Sequence, residues 1–383
     1  MPSIGRTSGS ASYYPILKWR HRELAALSQL DDGDAECVVP VFELPLEQWN
    51  FDTGCPSEDI RLKYARFGIN LSATWKNRPC AIDSPYLSES HSAENRHILD
   101  LVFEQARTWG CHAMPVFGLC CTEQYLRAVK RAHLIDGFGA CLRLRLEDMQ
   151  ETLDERIHDL LWTTTVQPSH CDLMIDFGAN VPSSAPHYVS LVTSVASRIP
   201  FLDNWRNVIV ACTSMSAALP HDLYRPRGNV ARHEWPGYLA ANAALGGSGV
   251  HLSYADYGVA HPSAEMVDPR LLGRDGSLVY ARQDGWDVYA PQLGRETEIG
   301  LLAKICCDDS SRHHREDGQA PCWADVQIQR LAFGGGCEFA RTTWPQIPTN
   351  RHLSVVARQL VSQGLVDRDN IRCGTRIGSE SSA

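Results

Sequence analysis

Residues 14–30 read YPILKWRHRELAALSQL. The first six, Tyr14–Trp19, form a short apolar run of strand character, and the residues after them are spaced as an amphipathic helix. The junction between the two decides which α/β fold is expected. A doubly wound open sheet usually carries a Gly-rich phosphate loop directly after its first strand. Here the strand runs instead into Lys18-Trp19-Arg20-His21, which favours a closed barrel.

Outward from this unit, seven further apolar runs recur: Cys37–Leu44 (CVVPVFEL), Cys80–Asp83 (CAID), Ala113–Leu119 (AMPVFGL), Ala140–Leu146 (ACLRLRL), Asp172–Phe177 (DLMIDF), Asn207–Thr213 (NVIVACT) and Gly249–Tyr254 (GVHLSY). Between them, apolar residues at three- and four-residue spacing, such as Ile98, Leu101, Val102 and Ala106, mark helices. The repeat of about 34 residues suits a βα unit. The fold expected is a (β/α)8 TIM-like barrel with a C-terminal hairpin and helical extension. Its least regular part is the third unit, where Gly68–Trp75 (GINLSATW) could hold a strand of its own.

The barrel core is assigned to residues 1–260 and the extension to 261–383. Within the extension, Ser277–Pro291 reads as a hairpin around Gln283-Asp284-Gly285, Arg295–Cys306 as the eighth barrel helix, and Asp308–Gln319 (DDSSRHHREDGQ) as an exposed, mobile loop. Trp323–Leu331 and a last helix, Leu353–Gln363, complete it.

At 383 residues, 44% hydrophobic and 21% charged, the chain can bury a sizeable core. A net charge of −9, with aromatic residues not interleaved with Lys or Arg, gives no basis for expecting a nucleic-acid partner. No apolar run reaches the roughly 18–20 residues of a membrane helix, and the opening MPSIGRTSGSASYYP has no signal-peptide core. A soluble, cytoplasmic protein without a membrane partner is expected. The 14 cysteines lack CxxC spacing and include the adjacent pairs Cys120-Cys121 and Cys306-Cys307; they read as reduced packing residues.

Chemistry in such a barrel belongs at the C-terminal strand ends: Lys18, Glu43, Asp83, Gly118, Arg143 with Arg145, Asp176, Ser214 and Asp256. Lys18, Glu43 and Asp176 each close an apolar strand and are the candidate catalytic residues, with Glu43 as base and Asp176 as acid. Arg143, Arg145 and Asp256 are candidate ligand-binding residues, suited together to a polar or anionic ligand. Glycosidase carboxylates at the fourth and seventh strand ends are missing, and a late-strand Schiff-base lysine is missing too. Lys18 stands where a pyridoxal-phosphate barrel places its lysine, but no phosphate motif accompanies it. His21, His251 and His261 are isolated and His313-His314 lacks partner spacing, so neither metal nor cofactor is expected. No G-x-S-x-G or P-loop occurs, and Gly246–Gly249 leads into a strand.

The opening stretch, VVPVFEL, DGWDVYA, CWADVQIQRLA and TTWPQIPTNRHLSVVARQL, taken in that order, resemble the T-even phage beta protein family, widespread in bacteria. The likeness covers almost the whole chain. Its matching residues are Lys18, Glu23, Glu43, Asp325, Trp344, Asn350 and His352. The family's late pattern has two histidines after the asparagine, whereas Arg351 here separates Asn350 from His352, so no role needing both is carried over. The resemblance implies a barrel-like fold and a link to phages, prophages or phage-defence gene clusters, and it implies no particular activity. Trp344, Asn350 and His352 flank the start of the last helix, where they join the ligand-binding candidates as a lid able to meet an anion; alternatively Asn350 caps that helix and Trp344 packs beneath it. Whether the barrel mouth receives a polar ligand or a protein partner, or acts as a hydrolase or lyase on an anionic small molecule, stays open at this level.

Overall fold

The computed structural model describes residues 12–44, 49–50, 55–56, 64–85, 96–216, 228–262, 277–289, 299–317, 320–334 and 343–366. Eight parallel strands close into a ring: β1 (Tyr13–Lys18), β2 (Val41–Glu43), β3 (Cys80–Asp83), β4 (Ala113–Phe117), β5 (Ala140–Arg145), β6 (Cys171–Asp176), β7 (Asn207–Ala211) and β8 (Leu252–Asp256). Each pairs with its sequence neighbour, and β8 closes on β1 through Tyr13–Tyr254 and Pro15–Asp256. Nearly every strand residue is buried, because one face lines the barrel interior and the other lies under helices. That is why the strands read as short continuous apolar runs.

The helices after the first seven strands are α1 (His21–Ser28), α2 (Phe67–Trp75), α3 (Ile98–Thr108), α4 (Glu123–Asp136), α5 (Leu153–Thr164), α6 (Ala185–Ala196) and α7 (Glu234–Gly246). Their ends follow local chemistry. The Thr122 hydroxyl accepts the Tyr125 N–H at the start of α4, and Gly137, at φ 72°, ends it in the left-handed conformation that glycine adopts without a Cβ clash. Gly68–Trp75 is therefore helix within α2, not a strand. Its Leu71 and Trp75 enter the main core with Phe67, a repeated four-residue spacing that suits a helix face.

The eighth barrel helix is the last helix, α8 (Ile347–Ser362), and not Arg295–Cys306. Leu353, Val356, Ala357 and Leu360 of α8 join the core that surrounds the barrel, where each buried Val or Leu contributes roughly 1.5–3 kcal/mol. A longer helix, Ile299–Asp317, packs instead with Trp323–Ala332 in a second core containing Tyr280, Tyr289, Leu302, Cys306 and Ile328. It also runs through most of the stretch expected to be a mobile loop: the polar sequence after Cys307 continues the helix to Asp317.

The expected hairpin is present as Leu278–Ala281 and Gly285–Tyr289, paired antiparallel. A third strand, Gly228–Ala231 from the β7–α7 connection, adds to it. Its small and polar residues, GNVA, carry no strand signal. This sheet and the second core cover the outer side of α8, so the helix is buried nearly all round. Eleven cysteines among the described residues are free, and nine of them are buried, which makes them packing residues. Among the described residues, no helix is long and apolar enough to cross a membrane.

Candidate functional site

Side chains on a strand alternate between its two faces, so every second residue points into the barrel. Ile16, Val41, Ala81, Met114, Val116, Cys141, Met174, Ile209, Ala211 and Ala255 fill the interior with an apolar plug. Above the plug, at the C-terminal strand ends, the same alternation brings in Lys18, Glu43, Asp83, Arg145 and Asp176. Tyr257 joins them from just beyond β8. The register sets Lys18 beside Glu43 and Glu43 beside Asp83, and Arg145 beside Asp176.

Arg143, one layer lower on β5, sends its guanidinium up into the middle of this ring. Its Nη1 donates to Glu43 Oε1 (2.7 Å) and Asp83 Oδ2 (2.5 Å), and its Nε (3.0 Å) and Nη2 (2.7 Å) both reach Asp176 Oδ2. Nη2 also reaches the Tyr257 hydroxyl at 2.8 Å. A guanidinium has five N–H groups, and these five bonds use them all. Arg143 therefore holds the cluster together and keeps no donor for a ligand. Asp176 is equally committed. Besides Arg143, its Oδ2 accepts the Tyr257 hydroxyl at 2.6 Å, and its Oδ1 accepts the Gly178 N–H at 2.9 Å. Lys18 Nζ pairs with the other oxygen of Glu43.

Lys18, Glu43, Asp83, Arg143, Asp176 and Tyr257 are each no more than 7% exposed. Two cations face three carboxyl groups, and their environments divide the carboxyls. Burial pushes Glu43 upward, but Arg143 and then Lys18 outweigh it and hold the carboxyl below its ordinary range. Burial raises Asp83, Arg143 only partly opposes the rise, and the charge of Glu43 adds to it. Burial also lifts the Tyr257 hydroxyl well above its usual value, so it stays a donor to Asp176.

The remaining sequence candidates lie elsewhere. Asp256 has the opposite parity from Asp176 and points outward under α8. There its Oδ2 meets His352 Nε2 at 2.7 Å, and its Oδ1 accepts Tyr13 OH (2.7 Å) and the Gly258 N–H (2.9 Å). Trp286 of the hairpin donates its indole N–H to His352 Nδ1 at 3.1 Å. Because an indole N–H can only donate, the ring proton of His352 sits on Nε2, aimed at Asp256. Burial works against ionisation of Asp256, but His352 and then Arg232 prevail and hold its carboxyl low. This constellation clamps the extension onto the barrel.

Asn350 lies inside α8 rather than at its cap: its Nδ2 donates to Ala26 O of α1 (3.0 Å), and its Oδ1 accepts the Ala324 N–H (3.1 Å). Trp344 packs in the second core. Arg351, next to His352, pairs with Asp325 at 3.1 Å under the Tyr280 ring. The four candidates Asp256, Trp344, Asn350 and His352 are thus separated from the mouth. Asp83 and Tyr257, not chosen as site residues from sequence, belong to it. The signal that finds them is the two-residue alternation counted back from the apolar plug.

At the opposite end of the barrel, Arg206 closes the floor on Asp172 at 2.7 Å. A cavity of about 40 Å³ lies there, lined by Tyr14, Met114, Phe138, Asp172, Arg206 and Asn207 among others. It has room for only a few waters, and chemistry in barrels of this kind sits at the other face.

A family model described as Beta protein matches residues 13–358. Among solved structures, the chain is similar to triosephosphate isomerase from Bartonella henselae, at 8% identity over 63% of this chain and 91% of that one, with a TM-score of 0.34. It is also similar to the carboxyl transferase domain of Rhizobium etli pyruvate carboxylase, at 10% identity over 94% of this chain and 54% of that one, with a TM-score of 0.35. A probable tagatose 6-phosphate kinase from Sinorhizobium meliloti matches at 11% identity over 97% and 89%, with a TM-score of 0.32. Likenesses this distant carry no argument about activity; the fold rests on the closed ring of strands itself. No curated protein matches the chain in sequence.

Proposed function

The chain belongs to the Beta protein family, and on that premise we propose that it binds a small polar or anionic ligand at the C-terminal mouth of its barrel, in the phage, prophage or phage-defence setting that the family resemblance implies. The observation that carries this reading is the buried cluster of Lys18, Glu43, Asp83, Arg143, Asp176 and Tyr257. Burying charges removes their hydration, and apolar residues of similar volume often serve stability as well or better. A buried cluster at the C-terminal strand ends that includes shifted groups, here Glu43, Asp83 and Tyr257, is a mark of function. In this reading Lys18 and Arg145 bring positive charge to the ligand, while Arg143, Asp176 and Tyr257 fix Glu43 and Asp83 in place.

A second reading, a hydrolase or lyase acting on an anionic small molecule, is favoured by one observation. Glu43 and Asp83 share a single guanidinium nitrogen yet are driven in opposite directions, one toward the ionised and one toward the protonated form. Such a pair suits proton transfer, with Glu43 as base. Asp83 then fits the acid role better than Asp176, whose oxygens are fully engaged.

The test is to purify the full chain and identify co-purifying small molecules and proteins by mass spectrometry, then repeat with Lys18→Ala and Glu43→Ala. A small molecule recovered with the parent protein and lost from both variants supports the mouth site. Unchanged recovery of the same molecule, or of a protein partner alone, overturns it.

A further inference from the structure

The ring of inward-facing residues at the mouth is not evenly filled. Between Asp83 on β3 and Arg145 on β5, the next inward position beyond β4 is Gly118, which has no side chain. A Cβ at Gly118 would stand 2.9 Å from the Arg143 carbonyl oxygen, so the β5 backbone comes too close there for any other residue, and β4 leaves a gap in the ring of side chains. The gap is bordered by groups with bonding capacity to spare. Asp83 binds Arg143 through Oδ2 alone, and no bond to its Oδ1 is made by the described residues. Arg145 is half-buried, forms no salt bridge among the described residues, and lies close enough for its charge to act on Asp83. The third neighbour, Cys121, accepts the Gly118 N–H at 3.3 Å, and burial raises its thiol to about 12, so it remains uncharged.

Resting on the reading of the mouth as a ligand site, we propose that this β3–β5 sector is a subsite for a hydroxylated oxyanion, a hydroxy acid or a phosphorylated polyol, whose anionic group pairs with Arg145 and whose hydroxyl bonds to Asp83. The guanidinium offers the planar, two-pronged donor set that carboxylate and phosphate oxygens fit. A hydroxyl can donate to Asp83 when the carboxyl is ionised and accept from it when protonated. With glycine at position 118, β4 projects no side chain between the Asp83 carboxyl and the Arg145 guanidinium. The rest of the cluster, saturated by Arg143, forms the wall against which the ligand lies.

Calorimetric or ligand-observed NMR titration of the full chain tests this. Glycerol 3-phosphate and glycerate serve as probes, and inorganic phosphate, propionate and glycerol as controls lacking either the hydroxyls or the anion. Either hydroxylated anion should bind in preference to all three controls, and which one wins tells phosphate from carboxylate. Arg145→Gln should weaken that binding about tenfold or more; because Arg145 anchors no salt bridge among the described residues, the variant should keep its fold. Asp83→Asn should reduce the preference over the plain anion, and Asp83→Glu should restore part of it. Undiminished probe binding by Arg145→Gln, combined with loss in Lys18→Ala, would overturn the subsite while leaving the mouth as a ligand site. Failure of every probe at millimolar concentration, while a different molecule co-purifies at the mouth, would overturn the ligand class alone.

Discussion

Two tripeptides, Asp176-Phe177-Gly178 and Asp256-Tyr257-Gly258, make the same turn at the ends of β6 and β8. In each, the aspartate Oδ1 accepts the glycine N–H at 2.9 Å, and the glycine takes a positive φ, 59° and 63°. Yet Asp176 is buried in the mouth, whereas Asp256 points away from it toward α8. The difference is one residue of register. On the ladder Ala211 stands opposite both Asp176 and Ala255, so the turn after β8 comes one step later. Asp256 is thereby on the outer face and Tyr257 on the inner one. One motif thus serves two ends: inside, its aspartate steadies Arg143 among the candidate ligand groups; outside, its aspartate clamps the extension through His352.

Replacing the mouth's hub should have the largest effect on this comparison. Arg143→Met leaves Asp83 and Asp176 buried without their cation, and Glu43 with Lys18 alone, and should lower unfolding stability by about 3–5 kcal/mol in urea titrations. A loss under about 1 kcal/mol would mean that water screens the cluster. On the outer face, Asp256→Ala strands Tyr13, Gly258 and His352 and should cost about 2–3 kcal/mol, while ligand recovery at the mouth is unchanged.

The two faces should also differ in their response to pH. Asp256 and Glu43 have lowered values in the fold, so their contribution to stability is full above the unfolded carboxyl range of about 4 and is lost as pH falls through the lower folded values. Asp83 is raised, so the folded state takes up its proton first and gains relative stability as pH falls through that value toward about 4. Urea midpoints measured across this range should show Asp256→Asn flattening the acid loss and Asp83→Asn removing the opposing gain. If the two variants have the same pH profile, the assigned directions are incorrect. The smallest effect concerns the shared turn: Gly178→Ala and Gly258→Ala should each lose about 1 kcal/mol, the first disturbing the mouth through Asp176 and the second disturbing both the clamp, through Asp256, and the mouth, through Tyr257.

Most of the barrel was legible in sequence because its strands, buried on both faces, appear as apolar runs separated by helical spacing. The eighth helix was not. α8 is covered on its inner side by the barrel and on its outer side by the extension, so Asn350, Arg351, His352 and Gln359 are buried among its apolar residues and blur the amphipathic pattern. Strand ends were also legible, and they gave Lys18, Glu43, Arg143 and Asp176 together. Which face each end residue takes depends on the register between strands, which no single strand reveals. For that reason a reading of strand ends alone assigns Asp256 to the mouth and misses Tyr257, its neighbour.

The division between an inner ligand face and an outer clamp is tested most directly by native mass spectrometry of the full chain beside its Glu43→Gln and Asp256→Asn variants, reading bound small molecule and folded charge state in the same spectrum. The expected result is a bound molecule on the parent protein and on Asp256→Asn, and none on a still-folded Glu43→Gln. Retention by Glu43→Gln together with loss from a still-folded Asp256→Asn would contradict it.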